Sequence, residues 1–442
     1  MIRGSDGAPV VTEILSAVHG ETVEADARAF SVLMRHLRQV DEKHNTVIMV
    51  QVENEVGVLG DSRDRSAEVE KVFHSPVPND LLEALDKHPE KLNDAIREKL
   101  SKVSPLARGK PWPETFGENV YTDELFMAYH YSHFVERVAQ AGKREYPLPM
   151  FANFWQNYGE DQMAKQYPTL AGGGDLPGDY PSGGAVSNVL DVWMDFAPTL
   201  DFISPDTYLN DYHRICSTYQ HRNQPLFIPE QRRDECGARR IWAEIGCYQG
   251  IGACPFALDT LEAPNCPFTA HYGLLSQASD IILDAQQRPG SIVGFFFDEP
   301  GNAEESTNPA PVVSMGGFEL RVERAFTTGP QGPGYGMIID MGSRKSNTAT
   351  FLLIGAGFQV KFSSLIGNAN YTGILEFKEK RRDLTTGEYV TDRWLNGDET
   401  RSGHQAIMPN EAPDDDGFPI HITIPAVTKI AECTVYQLLS KT

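Results

Sequence analysis

Positive charge is in short supply in this chain. Its 442 residues carry 61 Asp and Glu against 39 Lys and Arg, a formal net charge of -22. Such a surface repels phosphate, which argues against a nucleic-acid partner and favours a neutral substrate. Long apolar runs are missing as well, since no stretch approaches the roughly 20 residues that cross a bilayer, so no membrane partner is expected. The N-terminal MIRGSDGAPVV has no apolar signal core, and the compartment stays unassigned. Cysteine is sparse: the six positions (216, 236, 247, 254, 266 and 433) include no CxxC pair. Five of them fall within 216–266 at gaps that match no zinc spacing, so they read as structural free thiols, with a disulfide as the alternative. No expected strand is followed by a Gly-rich phosphate turn. The cluster AGGGDLPGDYPSGG (171–184) lacks the Lys-Ser/Thr ending of a phosphate loop and reads as a surface loop. No repeat of 20 to 50 residues is evident.

What is present is material for packed domains. Apolar residues make up 40% of the chain, with 22 Phe, 16 Tyr and 5 Trp, and the length suggests two or three domains. Helical spacing over 24–41 runs directly into an apolar run over 46–55. A polar excursion over 58–120 follows, with helical patterns in NDLLEALDKH and EKLNDAIREKL and a loop at RGKPWPETFG. Helices are expected at 123–142, 187–197, ARRIWAEIGCYQG and 269–287, with a short one at HRICSTYQ. Strands are expected at PLPMFANFWQN, 200–209, 225–233 and IGACPFALDTL. Strands separated by helices indicate βα units on a parallel sheet. Five such units without a phosphate turn fit the later part of a (β/α)8 barrel better than a doubly wound sheet. Beyond about 291 the pattern becomes short β-rich runs (GFFFDE, FELRVERAF, GYGMIIDMG, TATFLLIGAGFQVKF, TGILEFKEKR, FPIHITIP and ECTVYQLL) separated by turn signals. The expected fold class is therefore α/β: a partial TIM barrel over 1–290, holding strands four to eight, followed by an all-β sandwich-like domain over 291–442.

The run TVIMVQVENEVG (46–57) poses a chemical question. It reads as a buried strand, yet it ends on Glu53, Asn54 and Glu55, and carboxylates in a core are costly unless they are used. In a (β/α)8 barrel the reacting groups stand at the C-terminal ends of strands. Glu55 lies at one such end, and Glu230, closing PLFIPE, lies at another three βα units later. Two carboxylates brought from separate strands to one cavity are the equipment of glycoside hydrolysis. The plainer alternative is that each caps a helix or pairs with Arg63, Arg232 or Arg233.

These residues also resemble a family. QVENEVG at 51–57 is similar to the Asn-Glu signature on the fourth barrel strand of clan A glycoside hydrolases, most closely the β-galactosidases of families 35 and 42. GDYPSGG, LDVW, FISPDTY, PLFIPEQRR and RWLNGDET resemble members whose barrel is followed by a β-domain of unnamed function. The resemblance implies a retaining β-galactosidase-like enzyme acting on a carbohydrate substrate with no metal or organic cofactor. In that scheme Glu55 is the general acid/base and Glu230 the nucleophile, their carboxyls about 5 Å apart. Asn54 would donate to the sugar 2-hydroxyl, with a helix cap as its alternative role. Tyr208 would hydrogen-bond Glu230, or be a buried structural tyrosine. Trp155 and Asn157 would supply a stacking face and a polar contact, against core packing for Trp155. Glu53, two residues before Glu55, is expected on the same strand face as an inner carboxylate.

Other candidates read as structural. His130, His133 and Glu136 at i, i+3 and i+6 suggest metal only if further ligands join them, and the expectation is solvent-facing helix positions. Asp298 and Glu299 are expected as loop charges and PDDDG as a solvated turn. Only 45 residues precede the Asn-Glu strand, so strands one to three are expected to be absent, the first Met then being an internal start of a longer protein or the chain a degenerate relative. A hydrolase of another β-glycoside, and a catalytically silent carbohydrate-binding relative, are the competing functions. A homo-oligomer is left open by the resemblance and is not written in any residue.

Overall fold

The computed structural model describes the whole chain except residues 5–6, 88, 93, 104, 159–163, 299–310, 326–330, 343–346, 396, 411–426 and 441–442. Glu299, PDDDG and the FPIHITIP run lie outside the described residues. The chain divides into two units, Met1–Gln231 and Arg232–Thr442. Among the described residues, no helix is long and apolar enough to cross a membrane.

The first unit alternates strand and helix as its sequence periods predict. Helix α1 (Gly20–Asp41) precedes strand β1 (Val50–Gln51), and α2 (Val120–Glu145) precedes β2 (Met150–Phe154). Next come α3 (Leu190–Phe196), β3 (Phe202–Thr207), α4 (Tyr212–Tyr219) and β4 (Phe227–Gln231). The strands lie parallel in the order β1-β2-β3-β4. Their C-terminal ends therefore share one edge. Every residue of β2 and β3 is buried, as expected for parallel strands covered on both faces. Helix α2 begins where it does because Asn119 caps it, its side chain accepting from the N–H groups of Tyr121 and Thr122. It meets α1 at Gly142, where a Cβ would strike the ring of Phe30.

Three expectations fail in this unit. The strand expected over 46–55 ends at Gln51, because Glu53 and Glu55 take left-handed φ angles of 60° and 48° that no ladder accommodates. Within the loop RGKPWPETFG, Trp112–Phe116 forms a short helix whose Trp112 is fully buried against Phe126. The Gly cluster is no surface loop either, since Tyr180 and Ser182 are fully buried. Val58 and Ser182 exchange backbone hydrogen bonds of 3.0 and 2.9 Å. A side chain at Gly57 would strike Pro181 at 2.5 Å, so that glycine is what lets the two loops close on each other.

The second unit opens with α5 (Glu235–Tyr248), β5 (Gly252–Pro255) and α6 (Pro267–Gln286), and continues with β6 (Ile292–Phe297), β7 (Val312–Met315), β8 (Phe318–Arg324) and β9 (Gly334–Asp340). The remaining strands are β10 (Thr348–Ala356), β11 (Phe358–Ser364), β12 (Ala369–Arg382), β13 (Tyr389–Trp394), β14 (Gln405–Met408) and β15 (Ile430–Leu439). Two sheets result, in the orders β14-β11-β8-β7 and β13-β12-β15-β10-β9-β6, with antiparallel pairing between their strands. One apolar cluster draws on both sheets: Leu320, Val322, Phe358 and Val360 from the first, Phe295, Ile338, Phe351 and Val435 from the second. That shared core makes the pair a sandwich. Strand β15 shows the pattern that builds it, with Ala431, Cys433 and Val435 inward and Glu432, Thr434 and Tyr436 between them. Asp298 is not a loop charge, being 2% exposed and ion-paired to Arg239 and Arg240 at 3.9 and 3.5 Å. All six cysteines are free thiols.

Candidate active site

Four chain segments leave the C-terminal edge of the parallel sheet, and each brings a polar side chain to one place. Glu55 comes from the irregular segment after β1. That segment is held by side chains in place of a ladder: Gln51 Nε2 donates to the Glu53 carbonyl at 2.9 Å, and the Glu55 N–H donates to Asn153 Oδ1 at 3.3 Å. Trp155 follows β2 directly, Tyr208 follows β3, and Glu230 is the penultimate residue of β4.

Oxygens of Glu55, Asp206 and Glu230 lie within 4.8 Å of one another. The two glutamates stand close enough for one to serve as nucleophile and the other as acid, without the wider gap that admits a water between them. Glu230 accepts the Tyr208 hydroxyl at 2.5 Å and, more loosely, the Asn153 amide at 3.5 Å. Burial raises the Glu55 carboxyl above its usual range, opposed by hydrogen bonds from Asp206 and the Trp155 indole and reinforced by the charge of Glu230. Burial likewise pushes the Tyr208 hydroxyl up, as does its bond to Glu230, so it stays a donor.

The sequence-predicted residues separate into two places. Glu55, Glu230, Tyr208 and Trp155 come together. Asn54 joins them at the margin: it is exposed, and its Oδ1 accepts from Gln51 and Asn153 at 3.0 and 3.1 Å. Its amide nitrogen is thus the end left to donate. Asn157 goes elsewhere, accepting from the Ser187 hydroxyl at 3.2 Å and lining a depression with Asn188 and Arg214. Glu53 does not share a face with Glu55. It pairs with Asp26 of α1, and burial followed by that partner lifts its carboxyl to about 8.

Two of the three arginines named as ion-pair alternatives find other partners. Arg63 binds Glu70 and Asp123, and Arg232 binds Asp234. The helix trio is not a metal site: His130 is part-buried against Phe126 and Tyr129, and Glu136 accepts from Thr199. Glu55, Asp206 and Glu230 form the one acidic or histidine group among the described residues close enough to hold a cation. Two of the three already accept hydrogen bonds from Asn153 or Tyr208, donors that a cation would have to displace.

Two residues of the site were not singled out from sequence. Asn153 binds Asn54, Asp206 and Glu230 through one nitrogen, and the Glu55 backbone through its oxygen. Asp206 stands opposite Glu230 in register. Both are polar positions inside fully buried strands, MFANF and FISPDT, and that mismatch with a buried strand was the available signal.

Comparison with known proteins adds a partial frame. Residues 268–407 match a family described as a domain of unknown function, DUF5597. No curated protein matches the chain. Among solved structures, the chain is similar to a β-galactosidase from Rahnella sp. R3, at 15% identity and a TM-score of 0.35, over 66% of this chain and 44% of that one. The chain thus spans less than half of that relative's length, and a likeness so distant does not bear on activity.

Proposed function

We propose that the chain carries the chemistry of a retaining glycoside hydrolase, β-galactosidase-like, acting on terminal β-D-galactosides without a metal or organic cofactor. The observation that carries this reading is the Glu55–Glu230 pair, brought together from the ends of the first and fourth strands of the sheet, with the Tyr208 hydroxyl on Glu230. In the first step a Glu230 oxygen attacks the anomeric carbon, the glycosidic C–O bond breaks, and Glu55 gives its proton to the departing oxygen. In the second, water attacks the same carbon, Glu55 takes a proton from it, and the bond to Glu230 breaks. The raised Glu55 carboxyl suits a group that must hold a proton near neutrality. Tyr208 and Asn153 direct donors at Glu230 and hold its carboxyl in place for attack. Asn54, with its amide nitrogen at the exposed margin, serves a sugar hydroxyl, and Trp155 offers a half-buried ring beside Glu55. Asn157, which lies with Ser187 away from the two glutamates, has no part in the reacting pair in this reading. The barrel portion ends near residue 290, and the sandwich beyond it supports rather than reacts.

The test is hydrolysis of a nitrophenyl β-galactoside by the purified chain, with Glu230→Ala beside it. Turnover that disappears in the variant, with the fold unchanged by circular dichroism, is the expected result. Undiminished turnover in Glu230→Ala would sink the assignment. A panel of aryl β-glucosides, β-mannosides and arabinosides decides the sugar, and a folded chain inert toward all of them leaves a carbohydrate-binding role.

A further inference from the structure

The proposed reaction employs Glu55 and Glu230 and leaves Asp206, lodged between them, unexplained. Asp206 is 3% exposed, and its carboxyl lies within 4.8 Å of both glutamates. Three carboxylates this close in a partly dry site cannot all stay charged, so at least one holds a proton. The donors decide which. Glu230 receives the Tyr208 hydroxyl and the Asn153 amide. Glu55 receives the Trp155 indole. Asp206 Oδ2 accepts from Asn153 at 2.9 Å, while its buried Oδ1 has no donor among the described residues and its carboxyl faces that of Glu55.

Among the described residues, the groups that face Asp206 include no cation. They are Glu55 from the segment after β1, Asn153 from β2, Tyr208 at the end of β3, Tyr219 from α4 and Glu230 from β4. Two carboxyl oxygens turned toward each other repel unless a proton lies between them.

We propose that Asp206 is a positioning residue: a neutral acid in the resting protein, whose O–H donates to one oxygen of Glu55 and holds that side chain toward Glu230. Its proton stays with Asp206 throughout, so Glu55 gives and regains its own proton through the other oxygen. The hydrogen bond steadies the Glu55 anion formed when the leaving group departs. Burial raises the Asp206 carboxyl well above its usual range, with the bond to Glu55 and the charge of Glu230 acting the same way. This role rests on the glycosidase reading; the protonation of Asp206 does not.

The test compares Asp206→Asn, which keeps a donor of the same shape, with Asp206→Ala, which removes it. Loss of the donor destabilises the Glu55 anion, so the basic limb of the pH–rate profile moves up by about one unit in Asp206→Ala and kcat falls roughly tenfold with KM little changed. Asp206→Asn returns the limb to its wild-type place and recovers most of kcat. A limb that moves down by a unit in Asp206→Asn reports loss of a neighbouring anion and overturns the proposal, as does an unmoved limb in a folded Asp206→Ala. Infrared spectroscopy at neutral pH supplies a second reading that needs no turnover: a protonated-carboxyl carbonyl band that vanishes in Asp206→Asn and persists in Glu55→Gln. An inert chain with that band loses the glycosidase reading and keeps the neutral Asp206. An active chain without it loses only the proposal.

Discussion

The parallel sheet of the first unit and the sandwich of the second bury their strands to similar degrees and fill them differently. Strand β3 buries Ser204, Asp206 and Thr207, each with a side-chain oxygen lacking a hydrogen-bond partner among the described residues, and β4 ends on Gln231, whose amide nitrogen likewise has none there. In the sandwich, the cluster from Val293 to Val435 is apolar throughout, and the buried Glu379 is ion-paired with Arg393. Buried polar groups without partners destabilise a fold by roughly 1–3 kcal/mol each, so a chain keeps them where chemistry needs them. The same sequence therefore contains one region built for stability and one whose local irregularities, including left-handed φ angles at Glu53 and Glu55, converge on a site.

Substitutions can break this contrast. Glu55→Gln is expected to lower kcat/KM by roughly 10²–10⁴-fold, since it removes the proton donor and keeps the shape. Its effect on stability has the opposite sign. A carboxyl raised in the folded state contributes stability at acid pH that is lost as pH rises through its folded pKa, so at neutral pH the glutamine variant should melt higher than wild type. A lower melting temperature at pH 7 would show that Glu55 is structural.

Phe351→Ala tests the other side. The ring is fully buried between Phe318 and Phe362, and its loss should cost about 3–5 kcal/mol in denaturant unfolding. Turnover per folded molecule should stay at the wild-type level. A large loss of turnover in the folded fraction would mean that the sandwich takes part in the reaction.

The smallest effect sharpens the comparison inside the site. Tyr208→Phe removes one hydrogen bond to a carboxylate, worth about 1.5–3 kcal/mol. Read as kcat/KM, that is a loss of roughly 10- to 100-fold, with little change in melting temperature. Unchanged kinetics would remove Tyr208 from the site.

Much of this arrangement was legible in the chain. Helical spacing over 24–41 and 123–142 marked α1 and α2, and the change from alternating elements to short β runs near 291 marked the sandwich strands. Glu55 and Glu230 stood out because a carboxylate that ends an apolar run is hard to explain by packing. Asn153 and Asp206 also sat inside expected strands, but a polar residue within a strand does not by itself say which groups it will meet. The expected strand over 46–55 failed for a similar reason, since the bonds that break it come from Asn153, about a hundred residues away.

By itself the sequence determined what depends on neighbours along the chain: helix and strand periods, the acidic character and the two glutamates that end apolar runs. The tertiary structure decided what depends on meeting across distance. It brought Glu55, Asp206 and Glu230 within 4.8 Å, sent Asn157 toward Ser187 and paired Glu53 with Asp26. The physical reason is that side-chain period fixes only the face from which a residue leaves its own strand. Strand register and the closing of buried loops, as at Gly57 against Pro181, fix which groups it meets there and so which of them must share a proton.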